Sequence, residues 1–554
     1  MILDKSAART FTFHHAELGS LTGLVTPDNV VQFRAVPYAT IPARFKRSIL
    51  LGSLPESDGA YTEHGYACPQ TFPLREADGG PFPGDPVEPA SDEFECLLLQ
   101  LNIPLAILHT PSTAKLPVLV YIHGGGFVLG KIDEQHSTAL MVEQSILDTQ
   151  PIISASIQYR VGALGYLQTP EPGNANLALN DQRNALRWIQ KFIGGFGGDK
   201  QRVTVFGESA GSMSICAHML SPPPTEGPLF QRAVLMSGII GPATVPVPIE
   251  VAEQRYEAFL AKLGIEERGD AGLQKLREVD IDTLVAASTA LGDEGGLWLP
   301  VQDREWFGED AASVTWDRIP ELIGKCEWVK DIVLGCTSFE GTTMMSRYAG
   351  ITPSAFLSSI KTQLGAHSAE IISRAYAITP TMDQNLFFTP LLRWVGDAIF
   401  DAPTHMLAQY LSTKTTKNVY RYIFDVRNPF PNHALYQQPH HWVDIYFVFK
   451  AHQFRFPSQR LKDISTRHAQ LWINFTHGKT PWGEYKYTGK GDEVLMVVDE
   501  REGWVERSAE RVERDLEWGW GRCEELVSAW QEGGMKGEWW SCLELECLSG
   551  VKKT

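Results

Sequence analysis

Residues Val203 to Leu220 read VTVFGESAGSMSICAHML. The first four, Val203 to Phe206, suit a buried strand, and the run from Ser209 to Leu220 suits a helix. At their junction stands Gly207-Glu208-Ser209-Ala210-Gly211. Strand, G-x-S-x-G, helix is the setting of a nucleophile elbow. So tight a turn needs small residues beside the serine. It lifts the Ser209 hydroxyl clear of a sheet and aims the Ala210 N–H, near a helix N-terminus, at an incoming anion. The competing reading is an ordinary Gly-Ser-Gly loop turn; the flanking strand and helix argue against it.

Around this segment, apolar runs and helical periods alternate. Leu116 to Ile122, Pro151 to Ile157, Arg232 to Ser237, Val333 to Gly335 and Val419 to Val426 read as strands. Asn180 to Ile193 reads as a helix, with Asn180 and Asp181 as start signals. Alternation of this kind predicts a largely parallel sheet with helices on both faces, an α/β fold. Residues 245–330 read as a helical cap or insertion. Residues 501–548 read as a charged, helical C-terminal segment, with Trp504, Leu516, Trp518 and Trp520 on an amphipathic surface helix at 501–530. Residues 69–90, rich in Pro and Gly, read as a surface loop.

A serine hydroxyl needs a base to take its proton, a carboxylate to orient that base, and donors for the oxyanion. In this architecture the chain order is Ser, acid, His. The donors come first: Tyr121-Ile122-His123-Gly124-Gly125-Gly126-Phe127 follows a strand directly. The N–H groups of Gly125 and Gly126, with that of Ala210, suit an oxyanion hole. Gly124, Gly126 and Gly130 also admit a dinucleotide-loop reading, but no acidic residue closes a matching βαβ unit.

These segments, taken together, resemble the type-B carboxylesterase/lipase family of α/β-hydrolases, which holds cholinesterases and fungal lipases. The resemblance runs from about Phe33 to about His477. It includes Phe33-Arg34-Ala35-Val36-Pro37-Tyr38-Ala39, Tyr159-Arg160-Val161-Gly162, Asn180-Asp181-Gln182-Arg183-Asn184-Ala185-Leu186-Arg187-Trp188-Ile189 and Phe196-Gly197-Gly198-Asp199. It implies one α/β-hydrolase domain over residues 1–554 and a serine carboxylesterase, closest in character to fungal members, some of which serve natural-product pathways. It places the acid at Glu340, in Thr337-Ser338-Phe339-Glu340-Gly341; Asp331, the nearest competitor, precedes its strand. It places the base at His441, three residues before Asp444, with His440 as fallback and His433 a distant third. It also implies supporting roles for Glu208, beside the nucleophile, and Ser237, facing the acid. Cys68 and Cys96 match the family's N-terminal disulfide, and no cysteine pair matches a second, later one.

The chain departs from the family in two places. Residues 69–95 lack the tryptophan that binds a quaternary ammonium in cholinesterases, which argues against a choline ester. The segment after Tyr38 is shorter and lacks the usual Gly-Ile-Pro.

Over 554 residues the net charge is −17, which argues against nucleic acid or an anionic membrane as partner. No stretch approaches the length of a membrane span, and Met1 to Val25 holds no apolar run of signal-peptide type. A cytoplasmic protein is the expectation, with secretion less favoured. The His and Cys positions lack metal-ligand spacing, and the chemistry calls for no cofactor. The partner expected is a small-molecule ester; oligomeric state is not legible. Two other activities use the same residues differently: acyl transfer to another alcohol, or opening and closing of a lactone. A non-catalytic adhesion protein is the reading from a different class. It fits poorly, because Ser209, Glu340, His441 and all three glycines are present.

Overall fold

A computed structural model describes residues 9–55, 59–71, 90–109, 115–293, 298–348, 350–516 and 519–535. Twelve strands form one sheet: β1 (Arg9–His15), β2 (Gly19–Val25), β3 (Val30–Pro37), β4 (Leu98–Pro104), β5 (Leu116–Ile122), β6 (Ile153–Ile157), β7 (Gly198–Glu208), β8 (Arg232–Met236), β9 (Asp331–Thr337), β10 (Asn418–Phe424), β11 (Val494–Asp499) and β12 (Gly503–Ser508). Their order is β1-β2-β3-β4-β6-β5-β7-β8-β9-β10-β11-β12. From β6 to β11 all neighbours are parallel; the strands at both edges are antiparallel.

Side chains alternate across the pleat. Val118, Val120 and Ile122 of β5 join one buried apolar cluster, and Leu119 and Tyr121 join the other. The same division repeats in β8, where Ala233 and Leu235 face one side and Val234 and Met236 the other. Both faces are covered, as a parallel sheet requires. The molecule is an α/β-hydrolase fold.

Most strand limits shift by a few residues from the sequence reading, and two differences go further. The helix expected from Asn180 starts at Leu177, after Asn176 at φ +54°. Asn180 and Asp181 lie inside it. Asp181 is buried and grips Arg160 with both oxygens, each at 2.8 Å, so it serves a tertiary ion pair rather than a helix start. The C-terminal segment is not helical throughout. Residues Gly503–Ser508 form the edge strand β12, paired antiparallel with β11, and helices follow at Ala509–Leu516 and Trp520–Glu532. The turn at Asp499 decides this: its carboxylate accepts from the N–H groups of Arg501 and Glu502, and Gly503 takes φ +74°. Trp504 and Trp520 are placed by these elements, whereas Trp518 and residues 536–548 lie outside the described residues, as do 72–89 of the expected loop.

Residues 245–330 are mainly helical, with helices at Ile249–Lys262, Gly269–Glu278 and Ile281–Asp293. Among the described residues no helix is long and apolar enough to cross a membrane.

Candidate active site

The loops that leave the carboxyl ends of the parallel strands carry the candidate residues, the usual place for chemistry in such a sheet. Ser209 follows β7 and precedes the helix Ala210–Leu220. Its backbone stands at φ +55°, ψ −125°, held by its N–H on the Met236 carbonyl at 2.9 Å and by its own carbonyl, which accepts from Met213 N–H at 2.9 Å. A side chain in that region costs about 1–3 kcal/mol and persists only where surroundings impose it. Gly211 is part of the imposition: a Cβ there would sit 2.1 Å from the Ile122 carbonyl oxygen.

Gly125 takes φ +115° and Gly126 φ +60°, and the chain after β5 folds back so that Val128 and Leu129 N–H both donate to the Gly125 carbonyl at 3.0 Å. The loop is clamped from two sides. Gln70 accepts from Gly130 N–H at 2.7 Å and donates to the Gly130 carbonyl at 2.9 Å. Tyr159 stacks on His123, ring centroids 4.1 Å apart, and its hydroxyl donates to the His123 carbonyl at 2.6 Å. Burial lowers the His123 imidazole to about 4, so it stays neutral beside the loop.

Glu340 and His441 meet across the ends of β9 and β10. The residues just before them, Phe339 and His440, form a parallel bridge, and Phe339 N–H donates to the Pro439 carbonyl at 3.1 Å. That register sets the acid beside the imidazole: His441 Nδ1 donates to Glu340 Oε2 at 2.6 Å. Glu340 Oε1 accepts from Ser237 Oγ and from Thr337 N–H, both at 2.6 Å. Both carboxylate oxygens are therefore satisfied, at 1% exposure of the residue. Phe400 stacks on the His441 ring with centroids 4.2 Å apart.

Glu208 lies beneath this pair. Its Oε1 is 3.1 Å from His441 Nε2, an approach without hydrogen-bond geometry. Burial, then the nearby carboxyls of Asp444 and Glu340, raises the Glu208 carboxyl well above its ordinary range. Asp444 is pushed up to about 7 by burial and by Glu340; its Oδ2 accepts from the Tyr422 hydroxyl at 3.1 Å. Three carboxyls thus share one buried region, and it is this burial, with the neighbouring carboxyls, that disfavours the charged form of Glu208.

Ser209, Ala210, Gly126 and Phe400 line one cavity of about 480 Å³, walled mainly by Phe127, Val128, Leu129, Leu164, Met213, Leu284, Leu299, Met344 and Ile399. His440 faces away, its Nε2 on Asn428. Asp331 sits at the opposite, amino end of β9. Cys68 and Cys96, the pair matched to the family's disulfide, stand as buried unbridged cysteines, with Cys68 Sγ donating to the Pro69 carbonyl and Cys96 Sγ to the Glu93 carbonyl, each at 3.8 Å. Phe400 and Gln70 were not singled out from sequence. Gln70 stands in Cys68-Pro69-Gln70, next to a residue already noted; Phe400 belongs to no motif and reaches the site through the π-helical turn Asp397–Asp401.

The sequence profile of the carboxylesterase family matches residues 12–509. Lipase 4 of Diutina rugosa is 30% identical over 380 residues, 64% of this chain and 66% of that lipase. Lipase 1 of Yarrowia lipolytica is 26% identical over 489 residues, 87% of this chain and 90% of its own. The solved structure of a PNB esterase superposes with a TM-score of 0.71 at 25% identity, covering 91% of this chain and 99% of that one. The chain belongs to the carboxylesterase family and, with it, to the carboxylic ester hydrolases.

Proposed function

We propose that this chain is a serine carboxylesterase that hydrolyses esters of small or medium hydrophobic substrates. Ser209 is the nucleophile, His441 the base and Glu340 the carboxylate that orients it. The observation that carries the reading is the 2.6 Å contact of His441 Nδ1 with Glu340 Oε2, beside the cavity into which the Ser209 turn opens. With Nδ1 committed to Glu340, Nε2 is left as the proton acceptor. It takes the Ser209 proton as Oγ attacks the ester carbonyl. The N–H groups of Gly125, Gly126 and Ala210 stabilise the tetrahedral oxyanion. His441 then protonates the leaving alcohol and, in the second half-reaction, activates the water that frees the acid. Phe400, stacked on the imidazole with ring centroids 4.2 Å apart, holds the plane of the ring.

The cavity supports the substrate class. At about 480 Å³ with mostly aliphatic and aromatic walls, it suits a compact apolar group. The test is hydrolysis of p-nitrophenyl esters of graded acyl length by wild type and Ser209→Ala. The variant is expected to lose about 10⁴-fold or more in kcat, and short to medium chains to be preferred. Hydrolysis that survives in Ser209→Ala would remove the nucleophile from this reading.

A further inference from the structure

The turn that presents His441 has an unusual occupant. Val443 N–H donates to the His440 carbonyl at 3.1 Å, closing a four-residue turn with His441 and Trp442 at its centre. Trp442 stands at φ +83°, whereas His441 is not among the residues of positive φ. A negative then a positive φ defines a type II turn, whose third position ordinarily belongs to glycine. Here a tryptophan fills it, anchored by its ring edge-on to His136 at 5.6 Å. A non-glycine residue favours the type I alternative, in which the central peptide is flipped. The His441 carbonyl would then point the other way, and its imidazole would shift with it.

The direction of that carbonyl is held by hydrogen bonds. His440 Nδ1 donates to the His441 carbonyl oxygen, and Thr343 Oγ1 donates to it at 3.3 Å. The His440 tautomer is itself dictated. Asn428 Oδ1 accepts from Phe430 N–H at 2.9 Å, which leaves Asn428 Nδ2 to donate to His440 Nε2 at 3.0 Å. Nε2 is therefore the acceptor and Nδ1 carries the proton. Asn428 is in turn fixed at both backbone groups, N–H to Gln438 and carbonyl from Gln437, each at 3.0 Å. The ring of His433 lies parallel to His440 at 5.1 Å and keeps it in plane.

We propose that His440 is a positioning residue for the hydrolysis: through its Nδ1–H it locks the type II turn that Trp442 strains, and so holds His441 against Glu340. The inference rests on the reading of His441 as the base. Burial also drives the His440 imidazole down to about 3, so the relay keeps one neutral tautomer across the working range.

The test compares His440→Asn with His440→Leu, using a p-nitrophenyl ester, with thermal unfolding measured alongside. Asparagine places its amide nitrogen where Nδ1 stood and keeps the donor; leucine has similar bulk and none. His440→Leu is expected to lower kcat about 5- to 100-fold with KM within about two-fold, and His440→Asn to stay within about three-fold of wild type. Equal activities in the two variants would overturn the proposal. His440→Asn as inactive as Ser209→Ala would instead overturn the assignment of the base, since asparagine cannot accept the proton. Thr343→Val, on an exposed residue, provides a second arm should His440→Leu not fold. It is expected to cost about two- to five-fold in kcat, and an unchanged kcat counts against the anchored carbonyl.

Discussion

Ser209 and Asp444 illustrate the two ways a single residue is put under strain here, one in its backbone and one in its charge. Ser209 is held at φ +55° by hydrogen bonds from both of its peptide groups. Asp444 is held protonated by burial and by Glu340, with its carboxyl pushed up to about 7. The folded protein therefore keeps a proton that the unfolded chain releases near the ordinary aspartate value of 3.8. Stability from this group is complete below that value and is lost as the pH rises through about 7, a difference on the order of 4 kcal/mol. Asp444→Asn is neutral at every pH. Melting temperatures should show the variant gaining on wild type between about pH 4 and about pH 8. A constant gap would mean that Asp444 ionises at its ordinary value. At this scale the sequence was most legible where residue type and spacing are tied to chemistry, as with Ser209. It was less so at His440 and His441, adjacent and of one type, where the family's spacing to Asp444 favoured His441 and only the fold shows which way each ring faces.

The elements that carry the candidate site are short loops whose backbone geometry sets its shape. The turn after β5 depends on Gly125: a Cβ at that position would lie 2.2 Å from the Leu129 carbonyl oxygen, at φ +115°. Gly125→Ala should displace the N–H groups it aligns and lower kcat by about 10²–10³-fold. Far-UV circular dichroism should stay near wild type, while the melting temperature should fall, because the added Cβ meets backbone at a positive φ beside a central strand. Full activity in that variant would mean that these N–H groups do not meet the oxyanion. The glycine run was readable because only glycine tolerates such geometry. The edge strand β12 was not. Trp504-Val505-Glu506-Arg507 carries enough charge to pass for a helix face, and only its pairing with β11 makes it a strand.

Across the whole molecule, the loop after β6 is tied to the helix Leu177–Phe192 by the buried pair Arg160–Asp181. The Arg160 guanidinium also donates to the Lys46 carbonyl at 2.8 Å, so three distant stretches meet at one charge. Asp181→Asn leaves Arg160 buried without its counter-charge and should cost about 3–5 kcal/mol. The unfolding free energy from a urea titration checks this, and a loss under about 1 kcal/mol would show that the arginine finds water. Sequence alone determined the alternation of strands and helices, the tight turn at Ser209 and the glycine loop, because these follow from local periodicity and from backbone angles that few residues adopt. Tertiary structure decided the rest. The meeting of Glu340 with His441, 101 positions apart in the chain, the stack of Phe400 on the imidazole, and the raised carboxyl of Glu208 depend on sheet register and on burial. Neither quantity is a property of any one segment; both arise only when strands pair and the layers close over them.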